Sequence, residues 1–177
     1  MSLNTGTLRA RSLLLVEEVS ELAELEGRPE LLLDIADKPG EAAALWRERR
    51  EARPGWSAGA LELELDGVLL TDARNHDDLW PLWSYLVAMV EEYVREGVGH
   101  CAFPNQDVHV VLRDRDGSTF FTVGDTELDV HERSFVPQLL DAAEAFFRWV
   151  VEICDDDAED ELALIDEIRG DFEDAGR

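Results

Sequence analysis

The alternation of apolar and acidic residues in the middle of the chain predicts a β-hairpin. Leu61, Leu63 and Leu65 alternate with glutamates, as in a strand with one buried face. An Asp-Gly pair then supplies a two-residue turn, and residues 68–71 return as the second strand. The same kind of pattern predicts three more strands, at residues 108–112, 118–123 and 126–130, separated by turns at 114–117 and 124–125.

Two long helices are predicted from apolar residues that recur on one face. The first begins after a cap at Asp77 or Asp78 and ends at Gly97, and a polar loop is expected over residues 98–107. The second is capped by Ser134. Their apolar stripes are Leu79, Trp83, Leu86, Val90 and Tyr93 in the first, and Val136, Leu139, Ala143, Phe146, Phe147, Val150 and Cys154 in the second.

The two ends of the chain are also predicted to be helical. Residues 8–26 carry leucines and a valine at helical spacing, although residues 12–16 also suit a short strand. A short helix over 29–35 and a longer one over 41–53 follow. The tail has eleven acids between Asp155 and Asp174 against one base, with a thin apolar stripe of Leu162, Ile165, Ile168 and Phe172. This amphipathic helix either docks on the body or meets a partner, and docking is the commoner outcome.

These elements predict an α+β fold in one structural domain. We expect an antiparallel sheet of four to five strands with the two long helices packed on one face, plus N- and C-terminal helices. The chain divides into an N-terminal helical segment (1–56), a core of two hairpin–helix units (57–154) and the acidic C-terminal helix (155–177). Of the five tryptophans, Trp80 and Trp149 lie off the main stripes and are candidates for an interface.

Net charge is the sequence property that excludes the most classes of binding partner. The chain has 41 acidic residues against 16 basic ones, and its formal net charge is −25. Nucleic acids and anionic membranes need a basic surface, so we expect neither as a partner. A basic protein partner fits the charge, and adaptation to high salt is the alternative explanation. The sequence has no apolar run long enough for a membrane span and no secretory leader pattern, which predicts a soluble cytoplasmic protein.

The sequence contains no recognisable catalytic, cofactor-binding or metal-binding motif. Its two cysteines and four histidines lack the spacing of zinc ligands, and His100-Cys101 has no accompanying oxyanion motif. We therefore expect no cofactor and name no catalytic or metal-binding residue. The alternative is a small metal-dependent or hydrolytic enzyme that uses His76, His100 and nearby carboxylates.

Two loops at opposite ends of the first long helix are the best candidates for a binding site. One holds Arg74, Asn75, His76 and Trp80, and the other holds His100, Phe103, Asn105 and Gln106. A helix of about 18 residues spans about 27 Å, so the loops are not expected to form one pocket. The partner-binding residues predicted are Arg74, Asn75, His76, Trp80, Leu162, Ile165, Ile168 and Phe172.

The function expected from the sequence is that of a non-enzymatic acidic protein that binds a basic protein. An immunity-type or inhibitor protein fits this class by size and charge. The second alternative, besides the enzyme, is a homo-oligomeric structural protein. A homodimer would form through an uncovered helix or strand edge.

Overall fold

A computed structural model of the protein describes residues 6–17, 19, 25 and 27–176. The strands are β1 (Leu8–Leu15), β2 (Leu32–Asp34), β3 (Ala58–Leu65), β4 (Val68–Thr71), β5 (Asp77–Asp78), β6 (Val98–Ala102), β7 (His109–Arg115), β8 (Ser118–Val123) and β9 (Thr126–Val130). The helices are α1 (Pro39–Ala52), α2 (Leu79–Glu96), α3 (Glu132–Glu152) and α4 (Glu159–Asp174), with short 3₁₀ turns at Pro29–Leu31 and Ala73–Asn75.

The predicted α+β class is confirmed, and the strands form two antiparallel sheets rather than one. The first sheet has the order β2-β1-β3-β4, with β5 paired to β3, and the second has the order β6-β7-β8-β9. Each predicted hairpin is present. The Asp-Gly turns at 66–67 and 116–117 have positive φ at both residues, which matches the right-handed twist of the strands that they join. The two hairpins lie in different sheets.

The helix predicted over residues 8–26 is wrong for residues 8–15, which form β1. β1 lies between β2 and β3, and its end, Leu13 to Leu15, is buried. A central strand with both faces covered has a continuous apolar run, and such a run is easily mistaken for part of a helix. Part of the remaining prediction falls on residues 18, 20–24 and 26, outside the described residues. The short helix predicted over 29–35 is a 3₁₀ turn followed by β2.

The loop predicted over residues 98–107 begins as a strand, because Val98–Ala102 pairs with β7 as β6. Gly99 in this strand packs directly on α2, where a Cβ would lie 1.9 Å from the carbonyl oxygen of Met89. The cap predicted at Ser134 is also wrong, since α3 begins at Glu132 with His131 as its N-cap. The Ser134 hydroxyl lies in the first turn and donates back to the His131 carbonyl.

Among the described residues, the main hydrophobic core joins both sheets with helices α1 to α4. The whole predicted stripe of α3 is buried, and so is that of α2. Aromatic rings fill the centre: Phe146 lies 6.0 Å from Trp46 and 6.4 Å from Trp83, measured between ring centroids. The apolar side of α4 closes this core against α2 and α3. Within the described part of the chain, none of the helices combines the length and the apolar character that crossing a membrane requires.

Candidate functional site

The two candidate loops meet, contrary to the expectation that α2 would hold them apart. β6 runs back along α2, so the loop that follows β6 returns to the end of the helix where α2 begins. There Asn105 donates its backbone N–H to Asp77 Oδ2 at 2.9 Å and its Nδ2 to Asp77 Oδ1 at 2.7 Å. Gln106 Nε2 donates to the carbonyl of His76. The helix length was correctly predicted, but the direction of the chain after the helix decides where the second loop lies.

The contact between the loops forms a small polar cleft of about 210 Å³. It is lined by Trp56, Ala58, His76, Asp77, Asp78, Asn105 and Gln106. The carboxylates of the cleft already serve the fold: Asp77 is buried and accepts twice from Asn105, while Asp78 accepts from the Ser57 N–H at 3.0 Å. His76 Nδ1 is buried and, among the described residues, has no hydrogen-bond partner. The cleft therefore joins the two loops, and most of its polar groups are occupied in doing so.

The other predicted residues of the first loop lie outside this cleft. Arg74 is exposed, and its guanidinium is held by Asp72 at 2.6 Å. Asn75 ends the 3₁₀ turn, with its N–H donated to the Asp72 carbonyl at 2.9 Å. Asp72 also caps this turn by accepting the Arg74 N–H. The hydrogen bonds from Arg74, the strongest influence on this carboxyl, outweigh its partial burial and lower the pKa of Asp72.

Trp80 connects the start of α2 to the acidic tail. Its indole stacks on Trp46, with ring centroids 6.1 Å apart, and its Nε1 donates to Glu161 Oε1 of α4 at 2.8 Å. The guanidinium of Arg50 lies 5.4 Å from the Trp80 ring and binds Asp156 at 2.9 Å. Trp80 is thus half-buried, its ring stacks on Trp46, and its Nε1 donates a hydrogen bond to Glu161. It helps to hold the acidic tail on the body.

Asp156 lies at the centre of the contact between the acidic tail and the body of the protein, which we call the tail junction. It accepts hydrogen bonds from Trp46 Nε1 at 3.1 Å and from Arg50 Nε at 2.9 Å. Burial by itself raises the pKa of this carboxyl. The hydrogen bonds from Trp46 and from the Asp157 N–H, with the charge of Arg50, outweigh burial, so the pKa lies below its ordinary value of 3.8.

The apolar stripe of the tail faces the interior. Ile165, Ile168 and Phe172 are buried in the common core, and Leu162 is partly buried against it. A partner could contact these side chains only if α4 left the body. The opposite face of α4 is acidic and exposed, and it carries Glu159, Asp160, Asp166, Glu167, Asp171, Glu173 and Asp174.

His100 and Cys101 do not form a catalytic pair. They are neighbours on β6, so their side chains point to opposite faces of the sheet. Burial raises the pKa of the Cys101 thiol to about 12, which keeps it protonated and a poor nucleophile at neutral pH. Across the residues that the structure describes, no three His, Cys, Asp or Glu side chains converge in a way that suits a metal ion.

A larger groove lies between α2 and β6, and the sequence prediction missed its main residues. Its volume is about 520 Å³. It contains Tyr85, whose exposed fraction of 46% is high for an aromatic residue, together with Glu91, Glu92 and Glu96. Tyr85, Ala88 and Glu92 are spaced i, i+3 and i+7 along α2, so they share its outer face. That spacing was visible in the sequence, but the second wall comes from β6, which was predicted to be a loop.

Comparison of the chain with protein-family models, with curated proteins and with solved structures finds no match.

Proposed function

We propose that this protein is a non-enzymatic binding protein that engages a basic protein, in the manner of an immunity or inhibitor protein. The observation that supports the proposal best is the orientation of α4. Its apolar residues are buried in the core, and its acidic residues form an exposed face. A helix docked in this way presents a fixed anionic surface, which suits a cationic protein.

The balance of charges supports the same conclusion. The chain has 41 acids and 16 bases, so 25 carboxylates lack a counter-charge even if every base pairs with one acid. Several bases are shared among acids. Arg11 lies within 4 Å of carboxylate oxygens of Asp34, Asp37 and Glu62, and Arg169 is shared in the same way by Asp141, Glu144 and Asp166. The excess negative charge is therefore available to attract a basic partner over a distance of about 10 Å at moderate ionic strength.

The test begins with capture of a partner from lysate of the source cells at low and high salt. A captured protein supports the proposal only if it is basic and if it binds the purified chain with an affinity that falls as salt rises. Glu167→Gln, Asp171→Asn and Glu173→Gln together should then slow association and flatten its salt dependence, with little change in dissociation. The rates are measured by stopped-flow fluorescence or surface plasmon resonance.

A control variant distinguishes the effect of the acidic face of α4 on association from the effect of total charge. Glu48→Gln, Asp125→Asn and Asp129→Asn remove the same three charges from exposed positions on α1, the β8–β9 turn and β9. We expect this variant to slow association less than the α4 variant does. Equal effects would mean that α4 has no special role, and salt-independent binding or a neutral partner would contradict the proposed function.

The enzyme alternative has less support in the described residues. His76 lies in the cleft between the loops, while His100 lies at the α2–β6 groove with Glu92. The two histidines therefore do not share a site with common carboxylates. The homo-oligomer alternative makes a separate prediction, that the purified chain sediments as a dimer or larger species at micromolar concentration.

A further inference from the structure

We propose that the groove between α2 and β6 is the anchoring site for a basic, extended segment of the partner. This inference rests on the proposed function and adds the surface and the chemistry of recognition to it. The acidic face of α4 attracts the partner, and the groove holds one or two of its lysine or arginine side chains. The groove is lined by Tyr85, Ala88, Met89, Glu91, Glu92, Arg95, Glu96, His100, Cys101, Ala102, Phe103 and Pro104.

The wall formed by α2 is negative. Glu91, Glu92 and Glu96 lie on it with one base, Arg95, which already binds Glu91 at 3.2 Å. Glu96 is exposed at the last turn of the helix. A cationic side chain entering the groove therefore meets an excess of carboxylates, at the end of a helix where the helix dipole also favours a positive charge.

The groove also offers apolar surface, which distinguishes it from a simple acidic patch. Met89 and Phe103 are buried beneath it, and Ala88 and Cys101 contribute to its lining. The ring of Tyr85 stands half-exposed at its edge. Lysine and arginine combine a long apolar stem with a charged head, so the stem can pack on this surface while the head reaches a glutamate or the tyrosine ring.

The partner segment binds by its side chains rather than by adding a strand to the sheet. β6 is an edge strand, and an added strand would need the backbone groups that point away from β7. The N–H of His100 is such a group, and Glu92 Oε2 accepts it at 2.9 Å. Glu92 also lies 3.4 Å from His100 Nδ1. The centre of the free edge is therefore capped, which is a common protection against strand pairing.

The test uses a fluorescein-labelled peptide of four Arg-Ser repeats as the probe, with a Glu-Ser peptide as its negative control. Tyr85→Ala should raise the Kd of the Arg-Ser peptide about tenfold, mainly through faster dissociation. Glu96→Gln should raise it about threefold. Each variant has a matched control: Leu69→Ala removes an exposed apolar side chain on β4, and Glu48→Gln removes an exposed carboxylate on α1, outside both the groove and the acidic face of α4. Affinity is measured by fluorescence anisotropy, and an unchanged melting temperature confirms that each variant is folded.

The outcomes distinguish failure of the groove proposal from failure of the proposed function. If the groove variants and their controls have equal effects, or if the wild type does not bind the Arg-Ser peptide while still retaining a basic partner, the groove proposal is wrong and the proposed function stands. If the wild type binds neither a basic partner nor the peptide, both are wrong. A concentration-dependent dimer that Tyr85→Ala abolishes would show that a second copy occupies the groove, and this would also overturn the proposal.

Discussion

Replacing Gly99 with alanine should destabilise the protein strongly, because the backbone of β6 touches the backbone of α2 at this position. A Cβ added to Gly99 would lie 1.9 Å from the Met89 carbonyl oxygen and 2.9 Å from the backbone nitrogen of Tyr93. Ordinary contact begins at 3.4 Å, so the helix and the strand would have to separate by about 1.5 Å. The obstacle is helical backbone rather than the end of a flexible side chain, and rotamer changes do not relieve it.

The expected cost is at the upper end of the range for overpacked sites, about 3 kcal/mol or more. The φ of Gly99 is not positive, so the substitution introduces no left-handed backbone strain and the effect isolates packing. Urea unfolding followed by tryptophan fluorescence and circular dichroism measures it. With an m-value of about 2 kcal/mol/M, the midpoint should fall by about 1.5 M.

Gly170→Ala is the matched control, and it should stabilise the protein rather than destabilise it. Gly170 lies inside α4, and a Cβ there meets nothing within 4 Å. Alanine in an open helical position stabilises by about 0.5–1 kcal/mol relative to glycine, partly by restricting the unfolded chain. If Gly99→Ala unfolds at the same urea concentration as the wild type or a higher one, the close packing of β6 on α2 is refuted.

Three further predictions concern the core, the tail junction and the net charge. Phe146→Ala should cost about 3–5 kcal/mol, measured by urea unfolding, because the ring is buried among Trp46, Trp83 and Trp149. Asp156→Asn should destabilise by about 1–2 kcal/mol at pH 7. The pKa of Asp156 is lowered in the folded state, so the contribution of its carboxylate to stability is complete above pH 3.8 and is lost as pH falls through the lower folded pKa. Below that pKa the wild type and Asp156→Asn should be equally stable. A difference in stability that persists at low pH would contradict this role of Asp156. Raising sodium chloride from about 0.05 to about 1 M should raise the melting temperature by screening carboxylate repulsion, whereas an unchanged or lower value would mean that the charges are already well balanced.

The local elements with strong signals were predictable from the sequence. The hairpins at 66–67 and 116–117 combine alternating strands with a turn whose residues tolerate positive φ, and both form as predicted. The stripes of α2 and α3 are buried as predicted, including Trp83, Leu86, Leu139 and Phe146. These features depend on residues a few positions apart, so a single sequence contains the necessary information.

The candidate site depended on contacts that the sequence pattern does not specify. His76 and Gln106, 30 residues apart, meet only because β6 returns along α2. Tyr85 became a candidate for the same reason, since the second wall of its groove is that strand. Trp80 was predicted from the sequence as a partner-binding residue, whereas in the structure it packs against the acidic tail. The reason is that Glu161, 81 residues away, accepts its indole N–H.

The sequence by itself determined the α+β class, the two hairpins, the two long amphipathic helices and the excess of negative charge. Only the tertiary structure decided that the strands divide into two sheets, that residues 8–15 are a central strand, and that α4 docks with its acids outward. The physical reason is the range of the interactions. Periodicity and turn chemistry act within one element, whereas strand order and helix docking are decided by which apolar surfaces bury one another across the whole chain.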